Sequence, residues 1–218
     1  MTDDLVITTW AWVPKGPRGF VRDLRLRWAA EEAGLPYRIA TVPATAPGER
    51  GPAHLARQPF GQVPFLDHGE VRIFESGACL LYLAGLSEAL MPADPAGKAE
   101  TTQWIVSALN SVEMVSVPWW FIRMKGAEEN PLAGWLSQRL DALETVVAGR
   151  DWLAAGRFTA ADLLMADVLR IPRDLGQLDG RPALHAYVAR ICDRPAFRTA
   201  HAAQIAHFEA ADAARQAD

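Results

Sequence analysis

Cysteine is almost missing from this chain, tyrosine is scarce, and neither a basic excess nor a long apolar run is present. Only two of its 218 residues are cysteine, Cys79 and Cys192, with no CxxC and no Cys/His set at ligand spacing. That argues against a structural zinc site and against a dithiol redox motif. His54, His68, His185, His201 and His207 are scattered, and no pair has metal-ligand spacing, so no metal is expected. Lysine and arginine total 22 against 26 aspartates and glutamates, a net charge of −4. A surface for phosphate backbones needs the opposite sign, so no nucleic-acid partner is expected. The apolar run at 78–83 is far short of the ~20 residues that span a bilayer. The start, Met1-Thr2-Asp3-Asp4, lacks the basic residues and apolar stretch of a signal peptide. The expectation is a soluble cytoplasmic protein with no membrane partner. What is present is a core: 50% of the chain is hydrophobic, which excludes a disordered or fibrous protein. Eight tryptophans stand against three tyrosines, a bias that asks for a location.

Leu5-Val6-Ile7-Thr8-Thr9-Trp10 is β-branched and aromatic and predicts a buried strand. Residues 11–19 hold two prolines and two glycines and predict a loop. From about Phe20 the spacing turns helical, with Val21, Leu24 and Trp28 on one side and Arg22, Arg25 and Glu32 on the other. Arg22, Arg25 and Arg27 read as a solvated helix face. Gly34 predicts a C-terminal cap, with Pro36 just beyond. Tyr37 to Val42 then alternates as a strand, giving a parallel βαβ unit with a right-handed crossover. Residues 43–59, rich in Pro, Gly and Ala, predict a loop with at most a short helix. Pro64-Phe65-Leu66-Asp67 and Glu70-Val71-Arg72-Ile73-Phe74 predict two short strands, with His68-Gly69 as the turn. A buried helix follows from Ser76. The order βαβ-ββα is that of a thioredoxin-like α/β domain, placed at 1–87. Two prolines in Met91-Pro92-Ala93-Asp94-Pro95 mark a linker at 88–95.

Residues 96–218 read as an all-helical bundle domain. Ile105, Leu109 and Val112 form one apolar stripe, and Leu132, Leu136, Leu140, Leu143 and Val147 form another. Further helices are predicted at 183–192 and 196–214. Thr159-Ala160-Ala161-Asp162 reads as a capping box, with Phe158 and Leu163 as its hydrophobic staple. This is a folding signal without chemistry, and Asp162 reads as a structural charge.

Chemistry concentrates in two segments. In Gly61-Gln62-Val63-Pro64 the proline opens a strand and donates nothing to the ladder. A cis Val63–Pro64 bond would leave the Val63 main chain open to an extended peptide ligand; an ordinary trans proline fits the same residues. Glu75-Ser76 follows a strand and opens a helix, where exposed N–H groups and the helix dipole favour a carboxylate. Ser76 would donate to that carboxylate and Glu75 would accept from an ammonium, matching the head of an α-amino acid. A plain serine cap beside a solvated glutamate is the alternative.

Five motifs then carry a resemblance over nearly the whole chain. They are Arg27-Trp28-Ala29-Ala30-Glu31-Glu32-Ala33-Gly34-Leu35-Pro36-Tyr37, Pro59-Phe60-Gly61-Gln62-Val63-Pro64, Phe74-Glu75-Ser76-Gly77-Ala78, Thr159-Ala160-Ala161-Asp162 and Arg194-Pro195-Ala196-Phe197. In this order and spacing the chain resembles a cytosolic glutathione S-transferase of bacterial type. The resemblance implies glutathione as co-substrate, with no metal, and a homodimer. It implies that Val63 pairs with the cysteinyl unit of glutathione, that Pro64 is cis, that Glu75 and Ser76 hold the γ-glutamyl end, and that Gln62 lies at the edge of the site.

The family's sulfur-binding residue is a Tyr, Ser or Cys after the first strand. Residues 10–26 contain none of these, and the usual serine position falls near Val21. Positive charge or helix N-terminal N–H groups would have to take its place. Arg18, just before the first helix, is the first candidate, Arg22 the second, and Trp12 a third through its indole N–H; Lys15, Thr8 and Thr9 lie nearby. An apolar electrophile is expected in a cleft between the domains, walled by Met114, Trp119 and Trp120. The expected function is conjugation of the glutathione thiolate to an electrophilic small molecule, a detoxification reaction. The rival is a non-catalytic glutathione- or protein-binding module on the same fold. Isomerase, dehalogenase and ether-cleaving activities stay open within the enzyme class.

Overall fold

The computed structural model describes residues 4–45 and 47–217. In chain order its elements are β1 (Leu5–Trp10), α1 (Asp23–Ala33), β2 (Tyr37–Val42), a 3-10 turn (Pro47–Glu49), α2 (Pro52–Arg57), β3 (Phe65–His68), β4 (Val71–Phe74) and α3 (Ser76–Gly85). Then follow α4 (Pro95–Ser107), a π-helical turn (Ala108–Glu113), α5 (Met114–Met124), α6 (Ala133–Val147), α7 (Ala160–Asp174), α8 (Pro182–Cys192) and α9 (Pro195–Ala217). They form two compact units: residues 1–87 with 195–218, and residues 88–194.

In the first unit the strands run in the order β2-β1-β3-β4. β1 and β2 are parallel, as their α1 crossover requires, and β3 is antiparallel to both its neighbours. Leu5, Ile7 and Leu66 are buried, as are Leu24, Leu26 and Trp28 of α1 and Leu80 and Leu83 of α3. Gly34 ends α1 in the left-handed region, φ 64°, and Leu35 N–H closes back onto the Ala30 carbonyl. The β3–β4 turn is displaced by one residue from its sequence expectation. His68 pairs with Val71, so Gly69-Glu70 make the turn, and Gly69 supplies the positive φ of 56° at its first position.

The sequence reading runs the helical domain to the C-terminus, whereas the packing groups α9 with the first unit. Its apolar face explains this. Phe197, Ala200 and Phe208 are buried, and the Phe197 ring meets Trp28 edge-on at 4.7 Å. Arg25 and Arg27 correct a second expectation. They are 2% and 3% exposed, because α1 lies between α3 and α9 and has little solvated face to offer.

The second unit is built around α7, whose residues from Ala160 to Arg170 are all buried. Asp94 caps α4 by accepting from Gly97 N–H at 2.8 Å. The continuous run Pro95–Met124 is long and apolar enough to cross a membrane by length and composition. Within the unit its Ile105, Ala108, Val112, Val115 and Trp119 are core residues. α6 buries Leu136, Leu140, Leu143 and Val147 of the expected stripe, while Leu132 lies just before the helix and is half-buried. The capping box at 159–162 is formed, and it does more than start α7. The Asp162 carboxylate accepts from Thr159 N–H (3.0 Å), Leu153 N–H (2.9 Å) and Tyr187 O–H (2.9 Å). Burial pushes its carboxyl above the usual range and the Tyr187 phenol well above its own.

Removing Asp162 therefore strands several buried donors, while removing Thr159 costs one cap. We expect Asp162→Ala to lower stability by about 3 kcal/mol and Thr159→Ala by about 1 kcal/mol. Urea unfolding followed by circular dichroism checks both, and equal losses would contradict the hub role of Asp162.

Candidate functional site

The register of the sheet brings the two chemistry-bearing segments to one end. Phe65 pairs with Phe74 and with Thr8, so Val63-Pro64, Glu75-Ser76 and Trp10 all extend from the same edge of three neighbouring strands. The Val63–Pro64 peptide is cis. Pro64 is buried, Val63 half-buried and Gln62 exposed. Among the described residues the Val63 main-chain N–H and C=O have no hydrogen-bond partner. They form an open edge of the kind an extended peptide pairs with.

Glu75 precedes α3 with φ 70° and ψ 120°, a backbone conformation that non-glycine residues rarely hold and that clusters at functional sites. Its side chain is exposed, next to the start of the helix. Ser76 is 7% exposed, and its Oγ accepts from Arg25 Nη1 at 3.0 Å. With one lone pair held by a guanidinium, the hydroxyl proton is left for an outside acceptor. The burial of Arg25, which the sequence pattern missed, thus orients Ser76 as a donor.

Two further residues belong to this edge and carried no signal in the sequence. Arg50 donates to the Gly61 carbonyl (3.0 Å) and lies 4.3 Å over the Trp10 ring. His54, on α2, contacts Gln62 O through Nε2 at 2.8 Å and packs against Trp10 and Phe65. Both sit in the Pro- and Gly-rich stretch, where no periodicity points inward.

The proposed sulfur-binding side chains are engaged elsewhere. Arg18 makes a bidentate bridge to Asp212, at 2.6 and 2.7 Å, and its remaining contacts go to the Val13 carbonyl. Trp12 Nε1 donates to the same Asp212 at 2.7 Å. These bonds hold the Asp212 carboxyl well below the usual carboxylate range, with Arg18 the larger cause. Both expected donors are therefore spent on one carboxylate. Arg22 is half-buried at the residue before α1. Thr8 and Thr9 are buried. Of the residues expected to wall an electrophile pocket, Met114 is 51% exposed, and Trp120 is half-buried beside Phe121. Trp119 is 3% exposed and belongs to the core of its unit, which leaves it no surface for a substrate. A separate groove of about 490 Å³ opens along Val6, Thr8, Arg38, Asp67 and Arg72, and its lining includes neither Val63 nor Glu75 and Ser76. Among the described residues no cluster of His, Cys, Asp and Glu could hold a metal ion.

Comparison with known proteins identifies the pattern. The model of the glutathione S-transferase N-terminal domain matches residues 16–85, and that of the C-terminal domain matches residues 132–195. Glutathione S-transferase 3 of Zea mays is 32% identical over 197 residues, 83% of this chain and 88% of the relative. Glutathione S-transferase F11 of Arabidopsis thaliana is 27% identical over 184 residues, 77% of this chain and 86% of the relative. In fold, a glutathione transferase from Pseudomonas putida, solved with one glutathione disulfide per subunit, superposes with a TM-score of 0.77 at 21% identity, over 91% of each chain.

The cysteines sit outside this chemistry. Burial pushes the Cys79 thiol up to about 12 and the Cys192 thiol up to about 11. At pH 7–8 both stay protonated, so the native protein should react with a thiol-specific chromogenic reagent far more slowly than free cysteine. Two thiols per chain should appear once it is unfolded in urea; a fast thiol in the native state would contradict the burial argument.

Proposed function

Because the chain belongs to the glutathione S-transferase family, whose general function is glutathione binding and transfer, we propose that it joins the glutathione thiolate to an apolar electrophilic small molecule. The observation that carries this reading is the open Val63 main chain beside the Ser76 hydroxyl at the start of α3. The cysteinyl unit of glutathione pairs with Val63 N–H and C=O. Its γ-glutamyl carboxylate accepts from Ser76 and from the first N–H groups of α3, with the helix dipole favouring the charge. The ammonium group meets Glu75. Gln62 borders the peptide, and Arg50 offers a guanidinium at the same strand end for its distal carboxylate.

The thiol starts near pKa 8.5, so only a few per cent is thiolate at neutral pH. Arg18 and Trp12 are held by Asp212, and the Leu24 and Arg25 N–H groups of α1 bond the Val21 and Arg22 carbonyls, so thiolate stabilisation falls to the dipole of α1 and to the charge of Arg22. The thiolate then attacks an electrophilic carbon, forming the C–S bond as the leaving group departs with its electron pair. Holding both reactants supplies most of the acceleration. A homodimer is part of this reading, and Val106 and Phe121, 44% and 52% exposed, are apolar side chains it would cover. The two unpaired cysteines suit a cytoplasmic setting and a detoxification role there.

A second reading is favoured by one observation. Residues 10–26 hold no Tyr, Ser or Cys for the sulfur, and Arg18 and Trp12 are committed to Asp212, as in a glutathione-binding module without turnover. Two measurements separate these possibilities. Ser76→Ala and Glu75→Ala should each weaken retention on immobilised glutathione about tenfold, the value of one charge-assisted contact. Unchanged retention in both would sink the site. Ultraviolet absorbance of bound glutathione against pH should place the thiol below its free pKa for a transferase and leave it unshifted for a binding module.

A further inference from the structure

Helix α9 reaches back along the segment that precedes α1 and holds it at almost every turn. Gln204, fully buried, accepts from Gly19 N–H (3.0 Å) and donates to Asp23 Oδ1 (2.6 Å) and the Val21 carbonyl (2.9 Å). His207 Nε2 lies 3.0 Å from the Trp10 carbonyl. One turn further, Asp212 takes Trp12 and both terminal nitrogens of Arg18, and the Arg215 guanidinium lies 4.4 Å over the Trp12 ring. The fit at Gly19 is close: φ is 80°, and a Cβ there would come within 2.6 Å of His201 Nε2.

The segment so held is unusual in composition. Residues 11–22 include two prolines and two glycines and form no regular element, so alone they sample many conformations. Yet they set where α1 begins, and Trp10 at their start carries the contacts onward. Its ring meets Arg50 and His54, and His54 contacts the carbonyl of Gln62, one residue before Val63. A contiguous path therefore runs from α9 through Trp10 to the strand end described above.

We infer that α9 is a positioning element of the glutathione site and that Asp212 is its positioning residue. By binding Trp12 and Arg18 together, its carboxylate selects one arrangement of residues 11–22, and with it the placement of Trp10 against Arg50 and His54 beside the Gln62-Val63 strand end. The inference rests on the glutathione reading of Val63, Glu75 and Ser76. It assigns Arg18 and Trp12 to holding the loop instead of touching sulfur. Selecting a competent conformer in advance tightens binding by the fraction of conformers it removes.

The test uses the full chain, with glutathione as the probe in calorimetry and in the ultraviolet thiolate titration. For Asp212→Ala, a fall of the competent loop conformer to about a tenth should weaken glutathione binding roughly tenfold. The bound thiol should return toward its free pKa, with far-ultraviolet circular dichroism unchanged. Asp212→Glu should restore most of both. Combining Arg18→Ala with Asp212→Ala should add little to either alone, because the two act as one unit. If Asp212→Ala does not fold, Asp212→Asn carries the same readings. A folded variant with wild-type affinity and thiol pKa, altered only in thermal stability, overturns the inference. Wild-type protein that binds no glutathione overturns the parent reading, and this one with it.

Discussion

The pairing of Phe65 with Phe74 is the constraint on which the candidate site depends. Val63-Pro64 and Glu75-Ser76 are distant enough in sequence that nothing local brings them together. They become neighbours because a tight Gly69-Glu70 turn fixes the β3–β4 register, and because Thr8 of β1 pairs with the same Phe65. A slip of one residue would send every side chain of the hairpin to the opposite face and part the two segments. Apolar burial guards against that slip: Leu66 is fully enclosed beside Ile7. The site is thus a by-product of a core decision, which is why its residues need no direct contact with one another.

A second layer of order is polar and buried. Asp23 is fully buried, with Arg27 Nε at 2.7 Å and Gln204 Nε2 at 2.6 Å. Burial raises its carboxyl above the ordinary range, while Arg27 opposes that shift. Such a group is costly to bury unless its partners are in place. The partners come from α1 itself and from α9, about 180 residues later in the chain. The network therefore tolerates few alternative placements of α9, and its cost is offset by the apolar contact of Trp28 with Phe197. Arg25 follows the same logic on the other side of α1, where it is buried and donates to Ser76.

These two layers differ in how far the sequence discloses them. Strand β1, helix α6 and the capping box at 159–162 were legible because their signals are local: β-branching, a stripe at helical spacing, and a cap with its third-residue carboxylate. The site motifs at 61–64 and 75–76 were legible through resemblance more than through physics, since a proline and a Glu-Ser pair each admit plainer readings. The fate of Arg25 and Arg27 was not legible. A helical arginine reads as solvated unless a second helix covers it, and only the docking of α9 and α3 supplies that cover. Trp12 and Arg18 failed in the same way, because their partner is Asp212, at the far end of the chain. Trp119 reversed an expectation for a simpler reason: alternation on a helix with Pro118 inside it did not reveal which of two adjacent tryptophans faces inward.

The tryptophan excess ties these points together. Trp28 is core, and Trp119 is core in the other unit. Trp10 and Trp12 are neither core nor free surface. Each presents a ring face to a guanidinium, Arg50 or Arg215, and Trp12 adds its indole N–H, donated to Asp212, while at Trp10 the hydrogen bond is to the main-chain carbonyl. An aromatic ring that offers both a cation–π face and a polar handle fastens irregular backbone where apolar packing alone would let it slide. Phenylalanine lacks the indole donor, and tyrosine would place its donor at the ring tip, a different reach from the indole N–H that meets Asp212. Trp10 and Trp12 are in this way the means by which a loop rich in proline and glycine, with no secondary structure of its own, is held still.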